Sequence, residues 1–147
     1  MTPEKYLSAE QLEKELTLLM RLLEALNRKR NYPLERSHYL LLLQIQDEDK
    51  NINDLANILA LDATTVTRQV ISMQKNGLIV KKQDPADRRV AWISASEKGK
   101  QLAMEMREIR IQRLDEMFRE WAPEEKHHFS DLLNRCNQTL YHRLAEI

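Results

Sequence analysis

The stretch from Leu78 to Gly99 constrains the fold of this chain most. It begins just after Gly77 and ends on Gly99, the only two glycines in 147 residues. Within it, Leu78-Ile79-Val80 and Val90-Ala91-Trp92-Ile93 read as short strands, because β-branched and aromatic side chains suit a pleated backbone. The hexapeptide Asp84-Pro85-Ala86-Asp87-Arg88-Arg89 lies between them. Pro85 fixes φ and withdraws a backbone donor, so the hexapeptide is a turn and the whole stretch a hairpin. Arg88 and Arg89 then stand at a protruding tip. Arginine is almost never buried unpaired, so no core would take them, whereas a phosphate backbone or a narrow minor groove would.

The rest of the chain reads as helix. Two glycines and four prolines leave few breaks, and Leu, Glu, Lys, Arg and Met are abundant, so the expected class is mostly α with a small β-hairpin. At 42% hydrophobic and 31% charged residues the chain is of ordinary globular composition. A chain of this length buries roughly 68–70% of its unfolded surface. No apolar run approaches the ~20 residues of a membrane span. Met1-Thr2-Pro3-Glu4-Lys5 opens no signal-peptide pattern, and one cysteine allows no internal disulfide. These readings set the expectation of a cytoplasmic protein without a membrane partner.

The helical segments have distinct signatures. Ser8 followed by Gln11 fits a capping box, and Leu12, Leu16, Leu19, Leu23 and Leu26 line one stripe of a helix that runs to about Arg30. Leu18, Met20 and Leu22 add apolar surface off that stripe, which implies a partner helix. Pro33 breaks the chain, Ser37 is placed to cap a second helix, and the apolar run from Tyr39 to Ile45 must be surrounded. After the charged loop Asp47-Glu48-Asp49-Lys50, Asn51 caps a short third helix with Leu55, Ala56 and Leu59 on its buried face. Asp62 caps a fourth, Ala63 to Asn76, in which Val66, Val70 and Met73 form the buried stripe. Gly77 fits a left-handed helix stop with Leu78 as its hydrophobic contact. Two short helices joined by a tight turn and followed by a hairpin make a winged helix-turn-helix spanning residues 33–95.

Both ends of the chain remain to be packed. Ser96 caps a long helix carrying Leu102, Met106, Ile109, Leu114, Met117, Phe118 and Trp121, and Pro123 opens a final one with Phe129, Leu132, Leu133, Cys136, Leu140 and Leu144. These faces exceed what a winged helix of about seventy residues can cover. Residues 1–32 and 96–147 are therefore expected to form a helical dimerisation region, giving a homodimer.

Formal charge is zero, 23 basic residues against 23 acidic, but it is sorted. From Leu61 to Lys100 there are eight basic and four acidic residues, so this segment carries +4 and the remainder −4. A basic element on an acidic scaffold is the footprint of a protein that meets a polyanion with one face. On this reading the fourth helix enters the major groove of double-stranded DNA, where Arg68 can pair with a guanine edge and Thr64, Thr65, Thr67 and Gln69 can reach phosphates or bases. Lys81 and Lys82 are either phosphate contacts or solvated strand charges. Arg88 either meets phosphate or pairs with Asp84 or Asp87. The two aspartates orient arginines within the wing and bind no metal, since they lie beside two cations.

The element order, the string Asp62-Ala63-Thr64-Thr65-Val66-Thr67-Arg68, and the wing Asp84-Pro85-Ala86-Asp87-Arg88-Arg89 closing on Ser96-Glu97-Lys98-Gly99 resemble the MarR family of bacterial transcriptional regulators. One departure is Ala95-Ser96, where the family usually has Leu-Thr. The resemblance implies a homodimer on a pseudo-palindromic operator and a minor-groove contact at Arg89. It also implies a repressor released by a small, commonly phenolic, ligand bound between the dimerisation helices and the winged helix. Met20, Tyr39 and Leu42 line such a pocket or belong to the core.

Other classes find less support. No glycine-rich phosphate loop, no nucleophile with a base and no metal-ligand spacing is present, so neither an enzyme nor a cofactor is expected. His127 and His128 are sequence neighbours that point in different directions on a helix, and His38 and His142 stand alone. Cys136 sits on an apolar stripe as a small hydrophobe. A winged helix that docks on an acidic protein instead of DNA is the surviving alternative.

Overall fold

The computed structural model describes residues 3–147, with side chains from Ser8 onward; Met1 and Thr2 of the N-terminal pentapeptide lie outside the described residues. Among the described residues there are six helices and three strands: α1 (Pro3–Lys29), α2 (Arg36–Gln44), β1 (Lys50–Asn51), α3 (Ile52–Leu59), α4 (Ala63–Lys75), β2 (Ile79–Gln83), β3 (Ala91–Ala95), α5 (Glu97–Met117) and α6 (Pro123–Glu146). The chain divides into two compact units, Met1–Tyr32 and Pro33–Ile147.

The first unit is the single helix α1. It already includes Ser8, so that serine is an interior residue and not the cap that its spacing to Gln11 indicated. Leu12, Leu16, Leu18, Met20, Leu22 and Leu23 are all exposed.

The second unit holds the core. Leu41, Leu42, Leu55, Val66, Met73 and Ile93 are fully buried, and Ala103 and Met106 of α5 close the cluster. The expected stripe of α4 is the observed one, Val66, Val70 and Met73. A run of four leucines on α2 cannot all face inward at 3.6 residues per turn, and Leu40 is left exposed. Helix α2 begins at Arg36, two residues earlier than a Ser37 cap would set it: Glu35 occupies the N-cap without a side-chain bond. The caps of the next helices follow their spacing. Asn51 accepts from the Asp54 amide at 2.8 Å, Asp62 from Thr65 at 2.7 Å, and Ser96 from Gly99 at 3.0 Å.

The sheet is antiparallel in the order β1-β3-β2. Lys81↔Ile93 and Gln83↔Ala91 are register pairs in the hairpin. Its strands reach further than the apolar runs, because pairing with Ala91 to Ile93 extends β2 through Lys81, Lys82 and Gln83 despite their weak β preference. The strand β1 lies at the end of what reads in sequence as a charged loop; two residues pair with Trp92 and Ile93.

One junction joins these parts. Gly77 has φ +74°, and its carbonyl accepts from the Ser96 hydroxyl at 2.6 Å. The Leu78 amide donates to Met73 at 2.9 Å while its carbonyl accepts from the Ser96 amide at 3.0 Å. Gly99, in the first turn of α5, lies so close that a Cβ there would overlap the Leu78 carbonyl oxygen. Beyond the core, α5 ends at Met117, so Trp121 lies in the connection and not on the helix. There it packs with Phe118 and Phe129 at centroid distances of 4.8 and 5.5 Å. Helix α6 starts on Pro123, as its sequence indicated, and has no buried residue. Near its end the Tyr141 hydroxyl donates to the Ile58 carbonyl at 2.6 Å, which satisfies an acceptor in the last turn of α3.

Since backbone is what a Gly99→Ala methyl would strike, overpacking should cost about 1–3 kcal/mol in urea unfolding, with helical content retained at zero denaturant. An unchanged midpoint would show that the junction yields.

Candidate nucleic-acid interface

The recognition element is α4. Because Val66, Val70 and Met73 are buried, the 100° step per residue turns Thr64, Arg68, Ile71 and Lys75 to the opposite, exposed side. Among the described residues Arg68 makes no ion pair, so its guanidinium is available to a partner. The other expected residues lie off this line. The Thr67 hydroxyl donates to the Ala63 carbonyl at 2.8 Å, and Thr65 bonds the cap carboxylate of Asp62. Gln69 is half-buried and leans to the core side, its Oε1 buried without a partner. Asp62 is held below its ordinary pKa, chiefly by the Thr65 amide, with a further contribution from Arg68.

Ile71 is missing from the residues singled out in the sequence. It is 58% exposed in a helix whose two valines are buried. The signal was its spacing, seven residues from Thr64 and three from Arg68, which places it on the outer face. An exposed aliphatic side chain beside an arginine suits contact with a thymine methyl.

The wing is built around Asp84. Its Oδ1 accepts from the amides of Ala86 and Asp87 at 2.8 and 3.2 Å, and its Oδ2 accepts from the Trp92 indole Nε1–H at 2.8 Å. This carboxylate therefore ties the turn to β3, and it bonds an indole where sequence reading expected arginine. Those bonds, the indole first, hold Asp84 below its ordinary pKa of 3.8. Asp87 takes the arginine: its Oδ1 accepts from Arg89 Nε at 3.1 Å and from the Arg89 amide at 3.0 Å, and its Oδ2 from Nη2 at 3.3 Å. The Arg89 side chain is nonetheless 90% exposed, so the pair is a weak surface one that orients the guanidinium without hiding it. Arg88 pairs with neither aspartate; its carbonyl accepts from Gln83 Nε2 at 3.4 Å. Lys81 and Lys82 are exposed on successive positions of β2 and so face opposite sides of the hairpin.

Of the three pocket candidates, Tyr39 and Leu42 are buried in the core of the second unit, with the Arg110 guanidinium 5.6 Å from the Tyr39 ring centroid. Met20 is exposed on α1. Among the described residues no three His, Cys, Asp or Glu side chains are grouped to hold a metal ion, and no helix is long and apolar enough to cross a membrane.

A helix presenting an unpaired arginine, followed by a hairpin with an arginine held outward at its tip, defines a winged helix-turn-helix protein of the DNA-binding class. Residues 34–91 match the MarR family model. The chain is 36% identical over 132 residues to an HTH-type transcriptional regulator of Bacillus subtilis, YxaD, covering 88% of this chain and 92% of that one. Its fold is similar to that of a MarR family protein from Bacillus stearothermophilus, with TM-score 0.76, 26% identity and coverage of 95% and 99%. It is also similar to that of a MarR protein from Peptoclostridium difficile, with TM-score 0.77, 22% identity and coverage of 92% and 90%. The chain belongs to the MarR family of HTH-type transcriptional regulators.

The lowered pKa of Asp84 dictates the wing's acid response. A carboxylate depressed in the folded state contributes stability that is complete above the ordinary value of 3.8 and fades as pH falls through the lower folded value. In a Trp121→Phe background, Trp92 emission should stay constant from pH 7 down to pH ~4 and change only below it. Asp84→Ala should show the altered emission already at pH 7. A transition at or above pH ~4, or an unaltered Asp84→Ala spectrum, would contradict this account of the wing.

Proposed function

We propose that this regulator is a homodimeric repressor that reads a pseudo-palindromic operator and is released by a small ligand. The observation that carries the DNA-reading part is that two exposed arginines, Arg68 on α4 and Arg89 oriented by Asp87 on the wing, lie within one compact unit. In this reading Thr64, Arg68 and Ile71 meet base edges in the major groove. Thr65, Thr67 and Gln69 flank that line and support the helix or reach phosphates. Arg89 enters the minor groove, with Asp87 guiding it and Asp84 fixing the turn. Lys81, Lys82 and Arg88 meet the backbone.

The dimer is supported by what α6 and α1 leave uncovered. Leu132, Leu140 and Leu144 on α6 and Leu12, Leu16, Leu18, Leu22 and Leu23 on α1 are exposed, more apolar helix surface than a monomer keeps in water. Residues 1–32 and 96–147 supply that surface, and residues 33–95 supply the DNA-contacting parts. Two copies would set recognition helices about one helical turn apart. A small, phenolic effector of the kind family membership implies would act by changing that separation, so that the two helices no longer fit successive major grooves. Tyr39 and Leu42 of the core are the residues proposed to feel it. A bacterial regulator that acts on DNA works in the cytoplasm.

The test is binding to duplexes from the region upstream of its own gene. Arg89→Ala should weaken binding to the operator, while Arg68→Ala should cost about 1–3 kcal/mol of discrimination against a changed base pair. Unchanged affinity in Arg89→Ala would remove the wing from the interface. Binding insensitive to salt would favour a protein partner over DNA.

A further inference from the structure

The turn between α3 and α4 is short, Ala60-Leu61-Asp62. Ala60 takes φ 55° and ψ 46°, the left-handed region, and is the one residue other than glycine with positive φ among the described residues. Glycine reaches that region freely, whereas the Cβ of alanine crowds the following carbonyl. The preference of its own residues therefore does not set this turn. The amides of Ala60 and Leu61 close it on the carbonyls of Asn57 and Ala56 at 3.4 and 2.9 Å. Asp62 then caps α4, so the conformation at Ala60 fixes the direction in which the recognition helix leaves α3.

One further bond reaches this turn, from a residue 83 positions away. The Ile58 carbonyl, at the negative end of α3, accepts from the Tyr141 hydroxyl. Helix α6, which carries Tyr141, has no buried residue. Its first half is held by Phe129, whose ring packs on Trp121 and lies 6.2 Å from that of Phe118. Tyr141 holds it about 18 Å further along, so α6 is a strut between the aromatic cluster at the end of α5 and the turn. Tyr141 is 52% exposed, and Leu140 and Leu144 beside it are exposed too. A hydroxyl open to water exchanges its partner for solvent easily; covering those leucines would dry the bond and strengthen it.

We propose that Tyr141 is a positioning residue for the recognition helix. Through the Ile58 carbonyl it holds the end of α3, and with it the strained turn at Ala60, in the geometry that aims Arg68 at base edges. The proposal rests on the DNA-reading role above. It adds that α6, whose leucines supply dimer surface, also steadies the helix that reads sequence.

Tyr141→Phe keeps the ring and removes the donor, and it is compared with the natural full chain. Fluorescence anisotropy should show roughly tenfold weaker binding to a duplex selected by the protein, the loss of about one hydrogen bond. Binding to an unrelated duplex should be unchanged, because attraction to phosphates does not depend on where α4 points. Amide hydrogen exchange by NMR should be faster at Ala60 and Leu61, and unaltered at Leu78 and Ser96, whose amides are bonded beyond the other end of α4. Sedimentation should find the same assembly state in both chains. Unchanged exchange at Ala60 and Leu61 overturns the proposal, and so does faster exchange with unchanged affinity for the selected duplex. An equal loss on both duplexes, or a smaller species in sedimentation, also overturns it, in favour of a role in stability or assembly. All of these outcomes leave the regulator reading standing, whereas a natural chain that binds neither duplex overturns that reading and the proposal together.

Discussion

Gly99 brings the first turn of α5 against the Leu78 carbonyl, and three elements are fastened where they meet. Ser96 donates to the Gly77 carbonyl, accepts from the Gly99 amide, and through its own amide reaches Leu78. Lys98 adds a bond from its ammonium to the Asn76 carbonyl at 3.0 Å. The carbonyls left open at the end of α4 are thus taken up by groups at the start of α5, with the base of the wing between them. The recognition helix, the hairpin and the long helix therefore share one joint. Interiors packed this closely do not deform continuously, so a displacement of α5 is passed to α4 and to the wing as a body.

That stiffness gives the charge distribution its effect. The chain has no net charge, yet the cations of α4 and the wing lie on elements whose mutual geometry the joint sets. Asp84 extends the same order into the turn by linking two amides and an indole, and Asp87 orients the exposed Arg89 at little energetic cost. Surface pairs of this kind are easily exchanged for phosphate or base contacts. A flexible tip would lose more conformational entropy on entering a groove.

Much of this is legible in the sequence because it is local. The caps Asn51, Asp62 and Ser96 each stand three residues before the amide they accept, and helical period alone separates Val66, Val70 and Met73 from Arg68. What escapes is set by contacts distant along the chain. Lys81 to Gln83 become strand because β3 pairs with them, and Lys50-Asn51 become a strand for the same reason. The Asp84–Trp92 bond spans the turn, so the charge rule that matched both aspartates to arginines holds for Asp87 alone. Ser8 fails as a cap because the helix continues through it, a boundary that local spacing defines poorly. Ile71 was legible by period, yet its apolar character draws it toward the core in a reading weighted by hydrophobicity.

The proposed complex has two copies of this winged unit holding DNA through both grooves at once. Chemical footprinting on a duplex selected by the protein tests it most directly, combining guanine N7 methylation with hydroxyl-radical cleavage. Shielded guanines should fall in two patches centred about 10–10.5 base pairs or a multiple of that apart, each flanked by minor-groove protection. Continuous, sequence-independent protection with no guanine shielded would contradict it.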